Sequence, residues 1–560
     1  MAALFNIKIF NFRGIKSFTH TFSKGMTCII GRGDSGKTTI LDAISLVLSP
    51  SYSISFYDSD FYQCNVNEPI EIRATLIDLP EHVITKYGEY VVGIKDDKII
   101  EDMESDDAET AITALMIKLT VDKNLEPSWV VYTENRGQEP KVISASDRAK
   151  LNMAYIADYS DRQFSLMKGN LLYSMYKQLS NEDDNINTFI DVIRNSKLEI
   201  DNIIDEKFQP IIDTINNSSK NFGLNMDNLK IEIDQKDIYV KDNKVSLHDG
   251  NIPLRLKGKG SKRLISLAVQ LSQTTPNSIV LVDEIEIGLE PDRVQHLVNT
   301  LTKYTHSQII FTTHSRDVLV ELSCVNLYIM RQDNTELLSI AESMQGVVRS
   351  NPESFFASRI LVCEGATEIG FCRAINNWRI KKGQNNFAYL GIRLVDGGGN
   401  SMIERASVFK KLGFDVCLFC DSDIEEINKK KQELRDQEIE IIDCTDSYAF
   451  ETQVFYDVPW ALIPDLIACR RGNDISERNV FDSIQTNMNV RIDYTENWLD
   501  EEKQEIRNAL AKTAGKKEWF KQISHGQFVG DLIMSKFDTI ASNCCLKNNI
   551  NKINNWIDNK

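Results

Sequence analysis

The feature that most constrains the fold is residues 31–38, which read Gly-Arg-Gly-Asp-Ser-Gly-Lys-Thr and fit the pattern G-x-x-x-x-G-K-[ST]. Apolar residues at 26–31 predict a strand before this loop, and the periodicity of 38–48 predicts a helix after it. Backbone N–H groups of such a loop surround phosphate oxygens, its lysine reaches the terminal phosphates, and its hydroxyl ligates Mg²⁺. The pattern therefore predicts an α/β nucleotide-binding fold. Its candidate binding residues are Gly31, Gly33, Gly36, Lys37, Thr38 and Thr39.

Two later segments lie where a phosphate-binding loop needs partners. Asp283 and Glu284 follow the apolar run 279–282 and resemble a Walker B element, in which Asp283 would hold Mg²⁺ through water and Glu284 would polarise the attacking water. His314 follows the next apolar run, 308–311, where ABC ATPases have a switch histidine that senses the γ-phosphate of ATP. The alternatives are an ordinary acidic strand end and a packed or surface histidine.

Residues 256–263 precede a helical run and resemble the ABC signature loop. The resemblance implies that Gly260 and Ser261, at the helix N-terminus, approach the γ-phosphate held by another subunit. A dimer follows from this arrangement. Residues 288–291 stand where such proteins have their D-loop.

Weaker matches complete the nucleotide site. Arg13 matches the N-terminal arginine of the RecF and SMC branch of these ATPases, which reaches the bound nucleotide. Asp60 and Gln63 are both candidates for the Q-loop residue, and a simple loop is the alternative.

A second α/β region follows residues 349–354, which have the composition of a linker. Its predicted strands are 359–363, 392–395 and 416–420, separated by helical segments. Carboxylates follow two of these strands: Glu364 and Glu368 are one helical turn apart, and Asp421 and Asp423 alternate onto one side of the chain.

These four carboxylates repel one another unless cations neutralise them, and hard Mg²⁺ or Mn²⁺ suits oxygen ligands. Phosphodiester hydrolysis is the chemistry that such a site serves. The order Glu-Gly-x-x-Glu, glycine turn (397–399), Asp-x-Asp resembles the Toprim fold of topoisomerases, primases and certain nucleases. Ordinary N-capping or surface acids are the alternative for any one of these residues.

An ABC ATPase followed by Toprim resembles the OLD family of nucleases, which includes the large subunit of the Gabija antiphage system and retron-associated effectors. The resemblance implies a helical dimerisation insertion, DNA as substrate, a homodimer or larger homo-oligomer, and defence against phage. A helicase, a reverse transcriptase with its DNA product, or no partner are all compatible with it. It also implies a lysine near the cut phosphate, for which Lys521 is the nearest match and His525 an uncertain substitute, and Glu451 as a further metal ligand. Asp34 stands where asparagine is common in the family, which puts the rate of ATP hydrolysis in doubt.

The expected fold class is thus α/β, an ABC-type (RecF- and SMC-like) P-loop ATPase with a helical insertion, followed by a Toprim domain. The expected boundaries are 1–160 and 226–347 for the two parts of the ATPase, 161–225 for the helical dimerisation insertion, and 355–560 for the Toprim domain with a C-terminal helical region.

The charge and hydropathy of the chain limit its partners. A formal net charge of −17 argues against coating DNA by bulk electrostatics, so any DNA contact is expected to be local. Candidate basic stretches are 255–263, 379–382 and 516–521, each of which is also explained by a solvated face. No run of about 18 apolar residues and no signal-peptide core are present, which predicts a cytoplasmic protein without a membrane segment.

The favoured hypothesis is an endonuclease whose Glu364, Glu368, Asp421 and Asp423 hold the metals that cut or nick DNA, while ATP at a dimeric ABC head gates access. The rival is an ATP-switched DNA-binding or assembly scaffold whose catalysis is supplied by a partner. A topoisomerase-like strand passer is disfavoured because none of the 17 tyrosines stands in a recognisable nucleophile domain.

Overall fold

The computed structural model describes residues 2–96, 98–101, 111–134, 137–156, 200–226, 228–233, 245–273, 278–304, 306–332, 335–471, 476–488, 494 and 498–559. The chain forms two compact units, Met1–Glu342 and Ser343–Lys560. Of the helical insertion expected at 161–225, residues 161–199 lie outside the described residues, and Ile200–Asn221 is a helix. The described helices include none that combines the length and apolar character needed to cross a bilayer.

The described strands of the first unit are β1 (Ala3–Phe12), β2 (Ile15–Thr21), β3 (Met26–Ile30), β4 (Ile70–Ile77), β5 (Val91–Lys95), β6 (Lys98–Ile100), β7 (Ile112–Val121), β8 (Pro127–Val131), β9 (Lys141–Val142), β10 (Met153–Ile156), β11 (Leu229–Ile233), β12 (Val245–Asp249), β13 (Ile252–Pro253), β14 (Ile279–Val282), β15 (Gln308–Thr312), β16 (Leu327–Ile329) and β17 (Leu338–Ser339). Its described helices are α1 (Lys37–Val47), α2 (Glu81–Tyr87), α3 (Ala145–Ala149), α4 (Ile200–Asn221), α5 (Lys259–Gln273), α6 (Pro291–Leu301) and α7 (Arg316–Glu321).

The described part of the first unit contains two large sheets and a small antiparallel sheet of β11, β12 and β13. One large sheet is antiparallel, with the order β2-β1-β4-β7-β5-β6 and with β8 and β9 continuing from β7. The other has the order β10-β14-β15-β3-β16-β17, in which all strands but β17 pair in parallel. The predicted strands before the glycine-rich loop, Asp283 and His314 are confirmed as β3, β14 and β15. All three are apolar runs buried on both faces, as parallel strands between two layers are.

The arrangement of these strands positions the first site. Strand β15 lies between β3 and β14, so the loops that follow all three meet at one edge of the sheet. Ligands gather at this edge in open α/β sheets. Helix α1 continues from the glycine-rich loop and buries Ile40, Leu41, Ile44 and Val47 in the core that the two sheets share, which anchors the loop from its other end.

The strands of the second unit are β18 (Arg359–Cys363), β19 (Ile392–Asp396), β20 (Asp415–Cys420) and β21 (Glu440–Asp443). Its described helices are α8 (Gln345–Ser350), α9 (Ala366–Lys381), α10 (Met402–Lys411), α11 (Glu425–Asp436), α12 (Phe450–Asp457), α13 (Ile463–Arg471), α14 (Glu477–Gln485), α15 (Gln504–Lys516), α16 (Ile523–Ser535) and α17 (Cys545–Asp558). The strands form a parallel sheet in the order β19-β18-β20-β21, and the three strands expected from the sequence are confirmed.

Helices α9 and α16 pack backbone to backbone, although about 150 residues separate them in the chain. A Cβ atom on Gly370 would lie 2.2 Å from the Ile523 carbonyl oxygen, and one on Gly526 would lie 2.2 Å from that of Thr367. Glycine is therefore required on both helices. This contact holds the start of α16 against the first turns of α9, which carry Glu368.

The linker expected at 349–354 is wrong. Residues of this segment end α8 and begin a 3-10 helix, Pro352–Phe356, in which Pro352, Ser354 and Phe355 are buried. The Phe355 ring packs against Phe409, with ring centroids 5.5 Å apart. Asparagine, proline and serine mark a turn correctly, but they do not reveal that this turn is covered.

Candidate functional site

The glycine-rich loop of the first unit requires glycine at two positions. Gly31 has a φ of 150°, and a Cβ atom there would lie 2.2 Å from the Met330 carbonyl oxygen. Gly36 has a φ of 92°. Gly33 is exposed, with no atom near its absent side chain. Asp34 also adopts a left-handed conformation, with a φ of 61°, which aspartate tolerates better than most residues.

Lys37 lies in the loop with its ammonium group bonded to the backbone. Its Nζ atom donates to the carbonyl oxygens of Gly31, at 3.1 Å, and Arg32, at 2.9 Å, and the residue is only 5% exposed. Burial lowers the pKa of this ammonium group, and the negative charges of Glu284 and Asp283 oppose the shift. Thr39 is partly buried on the same turn of α1.

Thr38 and Asp283 are brought into direct contact. The Thr38 hydroxyl donates to both carboxylate oxygens of Asp283, at 3.1 Å each. Thr312, at the end of β15, donates to Asp283 Oδ1 at 2.6 Å and accepts the backbone N–H of Glu284 at 2.8 Å. Thr312 was not singled out from the sequence, although it stands two residues before His314.

His314 is positioned by a carboxylate that the sequence analysis also missed. Glu286 accepts the backbone N–H of His314 at 2.6 Å and the Thr313 hydroxyl at 2.7 Å. Burial, and then the nearby charge of Lys37, lower the pKa of the His314 imidazole. The neutral form of the ring is therefore favoured near neutral pH.

Residues 256–263 and 288–291 pack against each other within the chain. A Cβ atom on Gly260 would lie 2.4 Å from the Gly288 carbonyl oxygen, so glycine is required at the start of α5. Ser261 is partly exposed beside it. Arg263, which is buried, donates to the carbonyl oxygens of Asp283, at 2.5 Å, and Glu284, at 3.4 Å. This arginine connects the predicted signature helix to the predicted Walker B residues.

Arg13 is held by two carboxylates. Its guanidinium group bonds to Asp42 on α1 and, at 3.0 Å, to Asp60 Oδ1. The Tyr155 hydroxyl donates to the other oxygen of Asp42 at 2.6 Å. Asp60 is therefore engaged by Arg13, and Gln63 is exposed with its amide 3.4 Å from the Tyr62 hydroxyl.

The second unit brings together the acidic residues that the sequence singled out. Glu364 and Asp421 directly follow β18 and β20, which are neighbours in the sheet. The Glu364 carboxylate accepts the backbone N–H of Asp421 at 2.8 Å. Gly399 in the glycine turn donates its N–H to the Glu364 carbonyl oxygen at 3.0 Å, which fixes this strand end from the other side.

Two further glutamates are buried next to this strand end. Glu368 is 4% exposed and accepts the Gly365 N–H at 2.9 Å, and Glu451 is 2% exposed and accepts the Thr367 hydroxyl at 3.3 Å. Burial, and then the charges of Glu451 and Glu364, raise the pKa of Glu368 to about 8. Burial also raises the pKa of Glu451.

Asp421 has the same environment. Its Oδ1 atom accepts the Phe450 N–H at 2.8 Å, and burial, followed by the charge of Glu368, raises its pKa to about 9. Asp423, two residues on, is exposed. We refer to Glu364, Glu368, Asp421, Asp423 and Glu451 as the acid cluster.

Two lysines lie beside the acid cluster. The first, Lys431, is buried and donates to the Asp421 carbonyl oxygen at 2.6 Å, to Ser422 Oγ at 3.2 Å and to Asp443 Oδ2 at 3.4 Å. It supports the backbone of the Asp-x-Asp loop, and the sequence analysis missed it.

The second lysine is Lys521, which lies two residues before the start of α16. Its side chain is 52% exposed and lies 3.5 Å from Glu518. Desolvation opposes its charge, but attraction to Glu451, Glu518, Glu368 and Asp421 prevails and raises the pKa of its ammonium group. The packing of α9 on α16 thus brings Lys521 within electrostatic reach of the acid cluster. His525 lies in the first turn of α16 and is partly buried.

The residues of the acid cluster fit divalent cations by their chemistry. All are carboxylates, the hard oxygen donors that Mg²⁺ and Mn²⁺ prefer. Burial raises the pKa values of the buried members, and repulsion between like charges within the cluster adds to the shift at Glu368 and Asp421. Among the described residues, no three such side chains are already arranged as a metal-binding group. Instead, Glu364, Glu368 and Asp421 accept backbone N–H groups.

Comparisons with known families agree with this division of the chain. Residues 3–156 match the family model described as "AAA ATPase domain", and 118–321 match "AAA domain, putative AbiEii toxin, Type IV TA system". Residues 355–423 match "Overcoming lysogenization defect protein-like, TOPRIM domain". This last match contains Glu364, Glu368, Asp421 and Asp423, whereas Glu451 and Lys521 lie outside it. No curated protein matches the chain.

Solved structures similar to the chain include SMC heads. An SmcHead bound to the C-winged helix domain of ScpA is 18% identical, with a TM-score of 0.35, over 61% of this chain and 99% of that one. The Smc head from Pyrococcus furiosus is 15% identical, with a TM-score of 0.36, over 62% and 99%. The SMC head from Thermotoga maritima is 13% identical, with a TM-score of 0.29, over 60% and 97%.

The matched families and the topology define the class of this protein. It is a P-loop ATPase followed by a TOPRIM domain, and the expected fold class is confirmed. More particularly, the TOPRIM domain is of the OLD-like kind, so the chain has the ATPase–Toprim architecture of OLD proteins. This combination of domains supports a nuclease-type function that depends on ATP. Such domains use a nucleotide and divalent metal ions.

Proposed function

We propose that this protein is a metal-dependent DNA endonuclease whose cutting is controlled by ATP. The observation that carries the proposal is the acid cluster, in which buried carboxylates with raised pKa values lie at a strand end (Asp421) and on the neighbouring helix α9 (Glu368) of an OLD-like TOPRIM domain. Burying several carboxylates together lowers the stability of the fold unless their charge is neutralised, and such clusters are therefore common at functional sites. Holding metal ions against a phosphodiester is the use that fits this fold.

In this proposal Glu364, Glu368, Asp421 and Asp423 hold Mg²⁺ or Mn²⁺, with Glu451 as a further ligand. When bound, the cations supply activation of the attacking water and stabilisation of the leaving oxygen. Lys521 contacts the phosphate that is cut, because its ammonium group is partly exposed and is attracted to the same acids. Lys431 holds the backbone of Asp421 in place through the 2.6 Å bond to its carbonyl oxygen.

At the first site we propose that Lys37 and the N–H groups of the glycine-rich loop bind the phosphates of ATP. Thr38 and Asp283 hold the Mg²⁺ that accompanies the nucleotide, and the 3.1 Å hydrogen bonds between their side chains support this role. Glu284 orients the attacking water, and His314, whose neutral form is favoured, senses the γ-phosphate.

The remaining proposals concern assembly and biological setting. Gly260 and Ser261 at the start of α5 meet the ATP of a second copy, so the active form is a homodimer or larger homo-oligomer, with the helical insertion as a further contact. Arg13 reaches the nucleotide by leaving Asp42 and Asp60. Resemblance to the Gabija large subunit and to retron-associated nucleases supports antiphage defence as the setting. It also supports a helicase, or a retron reverse transcriptase with its DNA product, as a partner.

The test is incubation of the purified chain with supercoiled plasmid and Mg²⁺ or Mn²⁺, with and without ATP, beside Asp421→Ala and the matched control Asp415→Ala. Asp415 begins β20 and Asp421 follows the end of the same strand. We expect Asp421→Ala to lower cutting by more than about 100-fold. Mutating a residue that only hydrogen-bonds to a metal ligand lowers activity by about 10- to 100-fold, and losing the ligand itself should cost more. ATP binding by this variant should be unchanged.

Each result decides between the proposal and its rival. Cutting that is lost in Asp421→Ala and kept in Asp415→Ala supports the nuclease and gives the direction of ATP control. Undiminished cutting by Asp421→Ala would overturn the site assignment. Failure of the wild-type chain to cut under any of these conditions would favour the ATP-switched scaffold, whose catalysis a partner supplies.

A further inference from the structure

A groove opens next to the exposed end of the acid cluster. It is a cavity of about 380 Å³ in the second unit, lined by Asp423, Tyr448, Tyr456, Lys512 and Lys516 among other residues. We call it the tyrosine groove. Asp423 belongs both to the acid cluster and to the wall of this groove, so a molecule in the groove lies beside the metal-binding carboxylates.

The backbone ties the tyrosine groove to the Asp-x-Asp loop. Ser422, between Asp421 and Asp423, donates its N–H to the Tyr448 carbonyl oxygen at 3.0 Å and accepts the Ser447 N–H at 2.9 Å. Ser447 adopts a left-handed conformation, with a φ of 68°, which is uncommon for a residue with a side chain. The position of Tyr448 is therefore coupled to that of the acidic loop.

Aromatic rings and positive charges share this groove. The rings of Tyr448 and Tyr456 stack, with centroids 5.2 Å apart and planes 21° apart, and both residues remain partly exposed. Lys512 and Lys516 come from α15, one helical turn apart, and both are exposed. Helix α15 comes this close because of Gly515, where a Cβ atom would lie 2.3 Å from Thr452 Oγ1 on α12.

We propose that the tyrosine groove binds an unpaired stretch of DNA adjacent to the phosphate that is cut. This inference rests on the proposed function and names the form of its substrate. Tyrosine rings stack on bases, and lysines on one side of a groove follow the phosphate backbone, which is the combination that binds single strands. Within a duplex the faces of each base are covered by its neighbours, so only an unpaired base can stack on protein rings.

The proposal also agrees with the charge of the chain. A net charge of −17 disfavours broad contact with duplex DNA, whereas stacking gives affinity that needs few phosphate contacts. The strand enters along Lys512 and Lys516, places a base against the tyrosines, and delivers the neighbouring phosphate to the carboxylates. Cutting should therefore prefer single strands, gaps, flaps or locally opened duplex.

The binding test uses the full chain in an Asp421→Asn background with Mg²⁺, so that cutting does not consume the probe. The probe is a fluorescein-labelled single-stranded oligothymidylate, and fluorescence anisotropy measures its affinity. We expect Tyr448→Ala to weaken binding about 5- to 100-fold, as loss of one stacked base does, and Tyr448→Phe to stay within about twofold. Tyr389→Ala is the matched control, because Tyr389 is 73% exposed in the same unit and outside the groove.

A second measurement addresses the lysines and remains informative if Tyr448→Ala lowers stability. Each phosphate contact with a single strand contributes about 0.7 to the slope of log affinity against log salt concentration. Lys512→Ala and Lys516→Ala should each lower that slope by about this amount. Lys411→Ala, an exposed lysine of α10, should leave it unchanged.

The outcomes separate this inference from the proposed function. If Tyr448→Ala, Lys512→Ala and Lys516→Ala bind the oligothymidylate like the Asp421→Asn parent, the tyrosine groove is not the strand site, even where the wild-type chain cuts plasmid. An equal loss of affinity for a blunt duplex would also overturn the preference for unpaired DNA. If the wild-type chain cuts nothing but these variants lose single-strand affinity, the groove stands as a binding site and the nuclease proposal fails.

Discussion

The two sites of this protein differ in how their charges are balanced. In the first unit, buried Lys37 lies among Asp283, Glu284 and Glu286, so the protein supplies charges of both signs. In the second unit the acid cluster itself contains only carboxylates. Lys521 lies at the exposed edge of that cluster, and buried Lys431 bonds to the backbone oxygen of Asp421 rather than to its carboxylate.

This difference indicates what each site needs from outside. The proposed nucleotide site is held together by bonds such as that of Thr38 to Asp283, and its glycine-rich loop has the type of backbone that receives phosphate groups. In the acid cluster, burial raises the pKa values of Glu368 and Asp421, and the charge of Glu368 raises that of Asp421 further, so cations would favour the ionised carboxylates. We therefore expect binding at the first site to depend mainly on the shape of its loop. Binding at the second site should depend mainly on the charge of the cations that neutralise its carboxylates.

The largest effect on ligand binding should come from removing Lys37, the buried cation of the glycine-rich loop. Lys37→Ala should weaken ATP binding by about 10- to 150-fold, since a charge-assisted hydrogen bond contributes about 1.5–3 kcal/mol. Equilibrium binding of a fluorescent ATP analogue measures this. Lys16→Ala, an exposed lysine on β2, is the matched control. If Asp421→Ala weakened ATP binding as much as Lys37→Ala does, the two sites would not be separable in the way described above.

The next effect concerns how the second site is assembled. A methyl group on Gly370 would meet the backbone of α16, so Gly370→Ala should lower the free energy of unfolding by about 1–3 kcal/mol. It should also displace Lys521 and lower cutting further than the lost stability explains. Gly346→Ala in α8 is the control, since nothing lies near its absent side chain and alanine favours a helix.

Calorimetric melting measures the stability of both variants. Plasmid cutting is measured at a temperature where both variants are folded. A Gly370→Ala protein that melts and cuts like Gly346→Ala would show that the close approach of α9 and α16 does not position the site.

The same contrast explains how much of each site could be predicted from the sequence. The first site is a series of local motifs, each at the end of an apolar strand, so the loop, Asp283 and His314 could be read from spacing. Glu364 and Asp421 could be read in the same way. Glu451 and Lys521 could not, because helices far along the chain bring them to the strands, and only family resemblance suggested them.

Supporting residues were harder still to predict. Lys431 is the last of three consecutive lysines, 429–431, and nothing in the sequence says which of them turns inward beneath Asp421. Arg263 was noted only as the last residue of the basic stretch 255–263 and of the signature-like segment 256–263, yet it is buried and bonds to the Asp283 carbonyl group. When the partner of a charged side chain is a backbone oxygen, no second side chain indicates the contact, so the order of residue types cannot predict it.

A smaller effect is expected on stability as pH changes. The folded-state pKa of Asp421, about 9, lies above its ordinary value of 3.8, so the folded protein keeps a proton that the unfolded chain loses. Stability is then highest at low pH and is lost as pH rises toward 9. Over each pH unit between pH 6 and 8, metal-free protein should lose about 1.4 kcal/mol of stability, or roughly 3–6 °C in melting temperature.

Saturating Mg²⁺ should reduce this pH dependence, because cations replace the protons, and Asp421→Asn should reduce it without Mg²⁺. Glu425→Gln, at an 84% exposed carboxyl group, should leave it intact. Calorimetry in EDTA and in Mg²⁺ measures all four cases. A melting temperature that rises with pH in EDTA, or that does not change with Mg²⁺, would contradict the view that cations neutralise the acid cluster.

The smallest effect sharpens the claim that the nucleotide site depends on shape. Asp34 is an exposed carboxylate in the glycine-rich loop, where it adds negative charge close to where phosphates bind. Asparagine also tolerates the left-handed conformation found there, so Asp34→Asn removes the charge and keeps the loop. ATP affinity should rise only about two- to fivefold, as for exposed charge pairs, and less at high salt. Asp122→Asn, an exposed carboxylate at the start of the turn between β7 and β8, should change nothing. A gain of a hundredfold would mean that charge, and not shape, limits this site as it does the acid cluster.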